Sequence, residues 1–493
     1  MKRLHLKKKI IGRNREQKLL KEALNSPRAE LIAVYGRRRI GKTYLIKTLF
    51  EQEKSDFFYC SGIQHGKLKD QLHEFAKHLS STFYNDIPIK TPKSWMEAFE
   101  TLQKTLESLP KKQKVVIFFD ELPWMATPKS GLLTALDYYW NRYWSHNDNF
   151  KVIVCGSSAS WIIEKIINNK GGLYNRVTRK IKLEPFTLKE TGDFLIAKGI
   201  KLNQAQILEL YMVFGGIPHY LNLFPKGITA QQIIDELCFR KNSELVDEFD
   251  KLFSSLFADG TTYTALVRAI AKKLEGIGQS QLADEISIPN GGSTTKKLKE
   301  LEEAGFIQEF IPHSREEKGV YYKVIDEYSL FYLRWIEPHL KTIKKQQTDT
   351  GYWLTKTKTG AWLSWSGYAF EAVCFKHLPE IQKALHIDAG ADIGCWRYAP
   401  RIAEQTGCQI DLLFDRTDNA VTLCEIKYSN SPFNIDKPYA KTLTNKLDVY
   451  QKITRTKKQI FLAMITANSL KPTMYSEELV TGTVELKDLF IDR

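Results

Sequence analysis

The chain has 493 residues, 43% hydrophobic and 26% charged, a globular composition that excludes a wholly disordered chain. At roughly 150 residues per domain it accommodates about three domains. The formal net charge is +15, and residues 1–50 alone hold fifteen Lys or Arg against three Glu. Such basicity suits a polyanionic partner, nucleic acid or acidic lipid, or else a solubilising surface. No apolar run approaches the ~18 residues of a membrane span. The basic start Met1–Lys9 leads into no apolar stretch, so no secretory signal is expected. Seven scattered cysteines without a CxxC pair indicate neither a zinc ribbon nor a disulfide framework. These features together predict a reducing, cytoplasmic protein with no membrane partner.

Residues 1–185 alternate apolar runs (Leu31–Tyr35, Phe57–Cys60, Val115–Phe119, Lys151–Cys155) with helical stretches, which predicts a parallel sheet covered on both faces. Between the first run and the next helix lies Gly36-Arg37-Arg38-Arg39-Ile40-Gly41-Lys42-Thr43, a G-x-x-x-x-G-K-[ST] loop. Its glycines let backbone N–H groups wrap phosphates, Lys42 reaches the β and γ phosphates, and the Thr43 hydroxyl suits Mg²⁺. The helix that opens at Lys42 favours an anion at its N-terminus. A carboxylate strand is expected beside this loop, and Val115–Glu121 supplies it. Asp120 would hold Mg²⁺ and Glu121 would polarise the attacking water. The strand Lys151–Cys155 runs into Gly156-Ser157-Ser158, either a γ-phosphate sensor or a turn that needs small residues. Arg176 and Arg179 are each a candidate arginine finger or an ordinary surface cation.

Residues 186–260 read as helical, broken at Gly215-Gly216-Ile217-Pro218. Over 262–325 the pattern predicts helices Tyr263–Leu274, Ser280–Ser287 and Ser293–Ala304, then strands Ile307–Ile311 and Val320–Val324 with a charged tip between them. That is a winged helix. Its third helix carries Lys296, Lys297 and Lys299, either a DNA-reading set or a solvated face. The polar stretches Lys341–Thr350 and Lys356–Gly360 suggest a domain boundary.

Residues 361–493 return to α/β patterning, with strands expected near 391–398, 408–415, 420–427 and 459–465. Glu371 falls in what reads as an amphipathic helix start, and Asp411 on a strand. Glu425 and Lys427 share one face of the next strand, with Cys424 and Ile426 on the other. Asp411 and Glu425 are expected to bind Mg²⁺ beside Lys427, which suits phosphodiester hydrolysis. The alternative is a cross-strand salt bridge among Asp411, Glu425 and Lys427.

Two resemblances follow from these residues. Residues 1–340 resemble the AAA-type ATPases frequent in archaea and grouped with STAND signalling NTPases, through Ile11-Gly12-Arg13, Gly36–Thr43, Phe119–Glu121, Gly156–Ser158, Leu173–Arg176 and Gly216–Pro218. The chain departs from that pattern at Asn175, where Gly commonly precedes the Arg. The resemblance implies a nucleotide site formed by Ile11, Gly36, Arg37, Arg38, Arg39, Ile40, Gly41, Lys42, Thr43, Tyr44 and Pro218, with Arg176 as finger. In that family the first segment lies near the adenine and the Gly-x-Pro turn in a lid over the nucleotide. Residues 361–493 resemble the PD-(D/E)XK restriction-endonuclease-like fold, with Glu371, Asp411, Glu425 and Lys427 at the catalytic positions. Lys446 and Tyr450 stand where many members carry Gln and Tyr.

The expected architecture is therefore α/β. It comprises a P-loop ATPase domain with a parallel sheet (1–185), a helical lid (186–260), a winged-helix domain (261–345) and a restriction-endonuclease-like domain (361–493). The expected function is ATP binding and hydrolysis coupled to metal-dependent DNA binding or cleavage, with ATP and Mg²⁺ as cofactors and nucleotide-dependent homo-oligomers as one assembly. The alternative is a STAND-type switch or a DNA-binding regulator without nuclease activity.

Overall fold

The computed structural model describes residues 9–53, 55–110, 113–169, 171–257, 259–273, 276–310, 320–345, 351–398 and 407–492. The expected tip of the wing, the end of strand Ile307–Ile311, most of Met1–Lys9 and the end of Lys341–Thr350 lie outside them. The chain forms two compact units, 1–185 and 186–493.

The first unit holds a parallel sheet of strands β1 (Glu30–Tyr35), β2 (Asp56–Ser61), β3 (Val115–Asp120), β4 (Phe150–Gly156) and β5 (Arg179–Lys182). Their order is β2-β3-β4-β1-β5. Strands β1, β3 and β4 are buried almost throughout, as expected where helices cover both faces of a parallel sheet. Two features go beyond the sequence reading. The carboxylate strand β3 is not the neighbour of the P-loop strand β1, because β4 pairs with both. An edge strand, β5, was not expected: its sequence Arg-Lys-Ile-Lys offers one buried residue, too little apolar pattern to read.

In the second unit, helices Gly260–Ala271, Gln279–Glu285 and Gly292–Glu303 accompany a small antiparallel sheet of β6 (Ile277–Gly278), which lies between the first two helices, β7 (Ile307–Phe310) and β8 (Tyr321–Val324), ordered β6-β8-β7. Leu298, Leu301 and Phe306 are fully buried beneath it. The stretch around Lys356–Gly360, expected as a boundary, is a packed corner between helices Tyr352–Lys356 and Gly360–Lys376. Trp353 is completely buried there, with ring centroids 5.0 Å from Trp362 and Phe331 and 5.4 Å from Trp335. Asp235 accepts the Trp353 N–H at 2.9 Å.

A second five-stranded sheet follows: β9 (Asp392–Tyr398), β10 (Cys408–Asp415), β11 (Ala420–Lys427), β12 (Gln459–Thr466) and β13 (Gly482–Glu485), in the order β13-β12-β11-β10-β9. Strands β9, β10 and β11 form an antiparallel meander, and β12 and β13 add in parallel. The parallel step from β11 to β12 contains the helix Lys437–Thr454, as a crossover requires. Glu371 lies in the last third of the Gly360–Lys376 helix rather than at a helix start. That helix is apolar around most of its circumference, burying Trp362, Trp365, Phe370 and Val373, so it is not amphipathic.

Candidate functional site

The first unit builds its site where β1 ends. Gly36 has φ +141°, and a Cβ there would stand 2.2 Å from the Leu183 carbonyl oxygen, so only glycine fits. Gly41 caps the following helix at φ +89°, and Arg39 is also left-handed at φ +71°. Lys42 is buried and folds its ammonium onto the loop, donating at 2.8 Å to the carbonyls of Gly36 and Arg37. A loop that gathers a lysine and its own amide groups this way is a phosphate cradle. Arg37 and Ile40 are buried within the loop. The Arg38 guanidinium lies 5.8 Å from the Trp124 ring centre. Tyr44 is half exposed on the helix that follows. The Arg13 guanidinium donates to the Ile40 carbonyl at 3.2 Å, which ties the half-buried Ile11-Gly12-Arg13 segment to the loop.

Asp120 reaches this loop although β4 separates its strand from β1. The Thr43 hydroxyl donates to Asp120 Oδ2 at 2.7 Å, so the two expected metal ligands converge on one point. Tyr59 on β2, which the sequence reading missed, donates to the same oxygen at 3.4 Å. The next residue, Glu121, is left-handed at φ +47°. That turn aims its carboxylate across to β4, where Glu121 Oε2 accepts both the Ser157 N–H and the Ser157 hydroxyl at 2.9 Å. Burial pushes the Glu121 carboxyl up, while Lys42 and the Ser157 hydrogen bonds oppose that shift. Arg176 is exposed on a turn, its N–H bonded to the Leu173 carbonyl at 3.1 Å. Asn175 before it has φ +54°. Asn tolerates that region best after Gly, which accounts for the departure at that position. Pro218 begins a helix in the second unit.

The C-terminal sheet carries a second constellation. The pairing of β10 with β9 shifts register between Ile410 and Leu413. This bulge re-aims the Asp411 carboxylate, and its Oδ2 accepts the Ile426 N–H of β11 at 3.1 Å. Glu425 is buried and saturated. Lys427 stands 2.9 Å from Oε1, Lys446 2.6 Å from Oε2, and the Tyr439 hydroxyl donates to Oε1 at 2.8 Å. Burial works against the Glu425 charge, but Lys427 and Lys446 overcome it and hold the carboxyl below its usual range. The other two carboxyls go the other way. Burial, then the Asp411 charge, pushes Glu371 up to about 8. Burial, then Glu425, raises Asp411.

Glu371, Asp411, Glu425 and Lys427 thus act on one another across one site. Lys446 belongs to it, and Tyr450 does not: the Tyr450 ring is buried and packs edge-on to Trp396 at 5.1 Å. Tyr439, seven residues before Lys446 on the same helix face, takes part instead. The i, i+7 spacing was the signal available for it. The salt-bridge alternative holds for Glu425 with Lys427, whereas Asp411 takes a backbone N–H. Among the described residues, no group of three or more His, Cys, Asp or Glu side chains is arranged to hold a metal ion.

Residues 11–224 match a family described as an ATPase domain predominantly from Archaea. With the phosphate cradle and Asp120 opposite Thr43, this match supports a P-loop ATPase domain, one that binds and hydrolyses ATP. Over 427 residues the chain is 27% identical to an uncharacterised protein of Methanocaldococcus jannaschii, covering 85% of this chain and 88% of that one. A 45-residue stretch is 46% identical to an uncharacterised ATP-binding protein of the same organism, covering 9% of this chain and 76% of that protein. Among solved structures, the Walker-type ATPase of Pyrococcus abyssi matches with a TM-score of 0.46 at 20% identity, over 66% of this chain and 96% of that one. The Aeropyrum pernix ORC2 protein, in ADPNP–ADP complexes, matches with a TM-score of 0.42 at 13% identity, over 69% and 96%. No described helix is long and apolar enough to cross a membrane.

Proposed function

We propose that the protein couples ATP turnover to metal-dependent binding or cleavage of DNA by its C-terminal domain. The observation that carries this reading is the desolvated Glu371–Asp411 pair beside the Glu425–Lys427 strand. Ionised carboxyls in such a place are costly unless a cation relieves them. Asp411 and Glu425 would hold Mg²⁺, which supplies a hydroxide nucleophile and offsets charge on a phosphodiester when bound. Lys446 would stay on Glu425 and orient it, while Lys427 would turn from Glu425 to face the substrate's phosphate. The helix, antiparallel meander, crossover helix and parallel strand of this unit agree with a PD-(D/E)XK-like domain over 361–493.

In the same reading residues 186–260 are the lid, with Pro218 at its turn, and 261–345 are a winged helix. At the ATP site Lys42 with Gly36–Tyr44 binds the phosphates, and Thr43 and Asp120 hold Mg²⁺. Glu121 orients water once Ser157 releases it, and Ile11 lies by the base. Exposed Arg176 would serve a neighbouring molecule in a nucleotide-dependent homo-oligomer. A second reading, a STAND-type switch that binds nucleic acid without cutting it, is favoured by the saturation of Glu425.

The test is cleavage of plasmid and single-stranded DNA with Mg²⁺ or Mn²⁺, with and without ATP, beside Asp411→Ala and Lys42→Ala. Cleavage lost in Asp411→Ala, and its ATP stimulation lost in Lys42→Ala, supports the coupled enzyme. Cleavage unchanged in Lys42→Ala refutes the coupling. No cleavage under any condition leaves the switch.

A further inference from the structure

One cation near the carboxylate site comes from outside the C-terminal sheet. Lys323 lies on β8 of the small antiparallel sheet, opposite Gln308 of β7. Its ammonium sits 3.6 Å from the ring centre of Phe375 and 5.4 Å from that of Phe310. Phe310 belongs to the same small sheet, and Phe375 to the Gly360–Lys376 helix. An ammonium held between two aromatic faces is fixed in place by both rings.

Phe375 and Glu371 are four residues apart on that helix and therefore on one face. The face that carries the catalytic candidate is thus the face over which the Lys323 ammonium sits. The charges agree with this geometry. Burial lowers the Lys323 ammonium, while Cys395 and Glu371 act in the opposite direction. Lys323 in turn is one of the two lysines that oppose the upward shift of Glu371. A lysine ammonium set over aromatic rings, within electrostatic reach of a half-buried carboxyl, is a costly arrangement for a solubilising residue.

We propose that Lys323 is a positioning residue of the carboxylate site. It holds the Glu371 carboxyl through its seat on Phe375 of the Gly360–Lys376 helix, so that the winged helix and the C-terminal sheet build one composite nucleic-acid site. The proposal rests on the nuclease reading above. On this view a DNA strand carried by the winged helix arrives at a site that the winged helix itself completes.

The experiment is a double-mutant cycle in the full-length chain, with supercoiled plasmid and Mn²⁺ as probes. The variants are Lys323→Met, Lys323→Arg, Glu371→Gln and the Lys323→Met/Glu371→Gln pair. Lys323→Met should slow cleavage by about 10- to 100-fold, the usual cost of losing a residue that orients a catalytic group. Lys323→Arg should restore most of it, which a purely structural role would not do. The double variant should be no slower than Glu371→Gln, because both act through one group. Wild-type rates in Lys323→Met, or losses that multiply in the double variant, overturn the proposal. If the wild-type chain does not cut and Asp411→Ala is indistinguishable from it, the nuclease reading fails by itself. The same four variants are then read by thermal melting. Non-additive shifts keep Lys323 as the residue that holds Glu371, and additive shifts overturn it.

Discussion

Glu371→Gln is expected to stabilise the protein at alkaline pH, against the usual effect of changing a half-buried residue. In the folded chain burial and the neighbouring Asp411 raise the Glu371 carboxyl from 4.5 to about 8. Below about pH 4.5 both folded and unfolded chains hold this proton, and the group adds no slope. Between there and pH 8 the folded chain keeps a proton that the unfolded chain has lost. The folded state binds more protons, so stability falls as pH rises, by about 1.4 kcal/mol per pH unit. Across the window this approaches roughly 4–5 kcal/mol. Glutamine has nearly the same volume and never ionises, so it removes this slope. The assay is urea unfolding of the full-length chain followed by tryptophan fluorescence, from pH 5 to 8.5 with a chelator present. The variant should be no more stable than wild type near pH 5 and clearly more stable at pH 8.5. Parallel pH profiles, or a variant less stable at pH 8.5, would refute the desolvation argument.

Other outcomes follow from individual contacts. Glu121→Gln should retain ATP binding and lose turnover by about 100-fold or more, measured by phosphate release. Ser157→Ala removes the hydroxyl donor from the Glu121 carboxylate and keeps the backbone N–H, so the acid limb of the turnover-against-pH profile should move to higher pH. Lys446→Met should cut metal-dependent cleavage by about 10- to 100-fold by leaving Glu425 one lysine short. Lys446→Gln, which keeps a donor at that position, should retain most of it. Trp353→Ala empties the centre of an aromatic cluster and should cost about 3–5 kcal/mol, read as a lower urea midpoint.

The features legible in the sequence were those in which one residue type in one place can do only one thing. Strands β1, β3 and β4 were readable because a strand buried on both faces is a continuous apolar run. The phosphate loop was readable because Gly36, Gly41 and Lys42 each meet a distinct steric or chemical demand. The order of the strands was not readable. Nothing in Val115–Asp120 says that β4 will lie between it and β1, since that is settled by how helices pack on the sheet. The edge strands β5 and β13 and the two-residue β6 carry too few buried positions to announce themselves. In the C-terminal site the alternation placed Glu425 and Lys427 together, as found at 2.9 Å. The bulge that turns Asp411 was invisible, because it arises from pairing with β9. The choice between Tyr439 and Tyr450 was decided by Trp396, which draws Tyr450 into the core and leaves the Glu425 hydroxyl partner to Tyr439.

The Gly360–Lys376 helix has a further role, as the rod that joins the Gly215–Pro218 corner to the carboxylate site within the second unit. At its C-terminal end Lys376 donates to Glu327 Oε2 at 2.7 Å. Glu327 is buried, and a Cβ added at Gly215 would stand 2.6 Å from that same oxygen. The next residue, His377, accepts the Leu188 N–H on Nε2 at 3.0 Å and pairs its Nδ1 with the Val373 carbonyl at 2.8 Å. Close by in sequence, the Phe186 N–H donates to the Gly216 carbonyl at 2.7 Å. The corner, Leu188 and the end of the helix are therefore held by buried polar contacts, whose separation would leave a charge or a hydrogen-bonding group without its partner. Six residues earlier on the same rod sits Glu371. The corner and Glu371 are thus joined through one continuous helix, with no loop between Glu371 and Lys376.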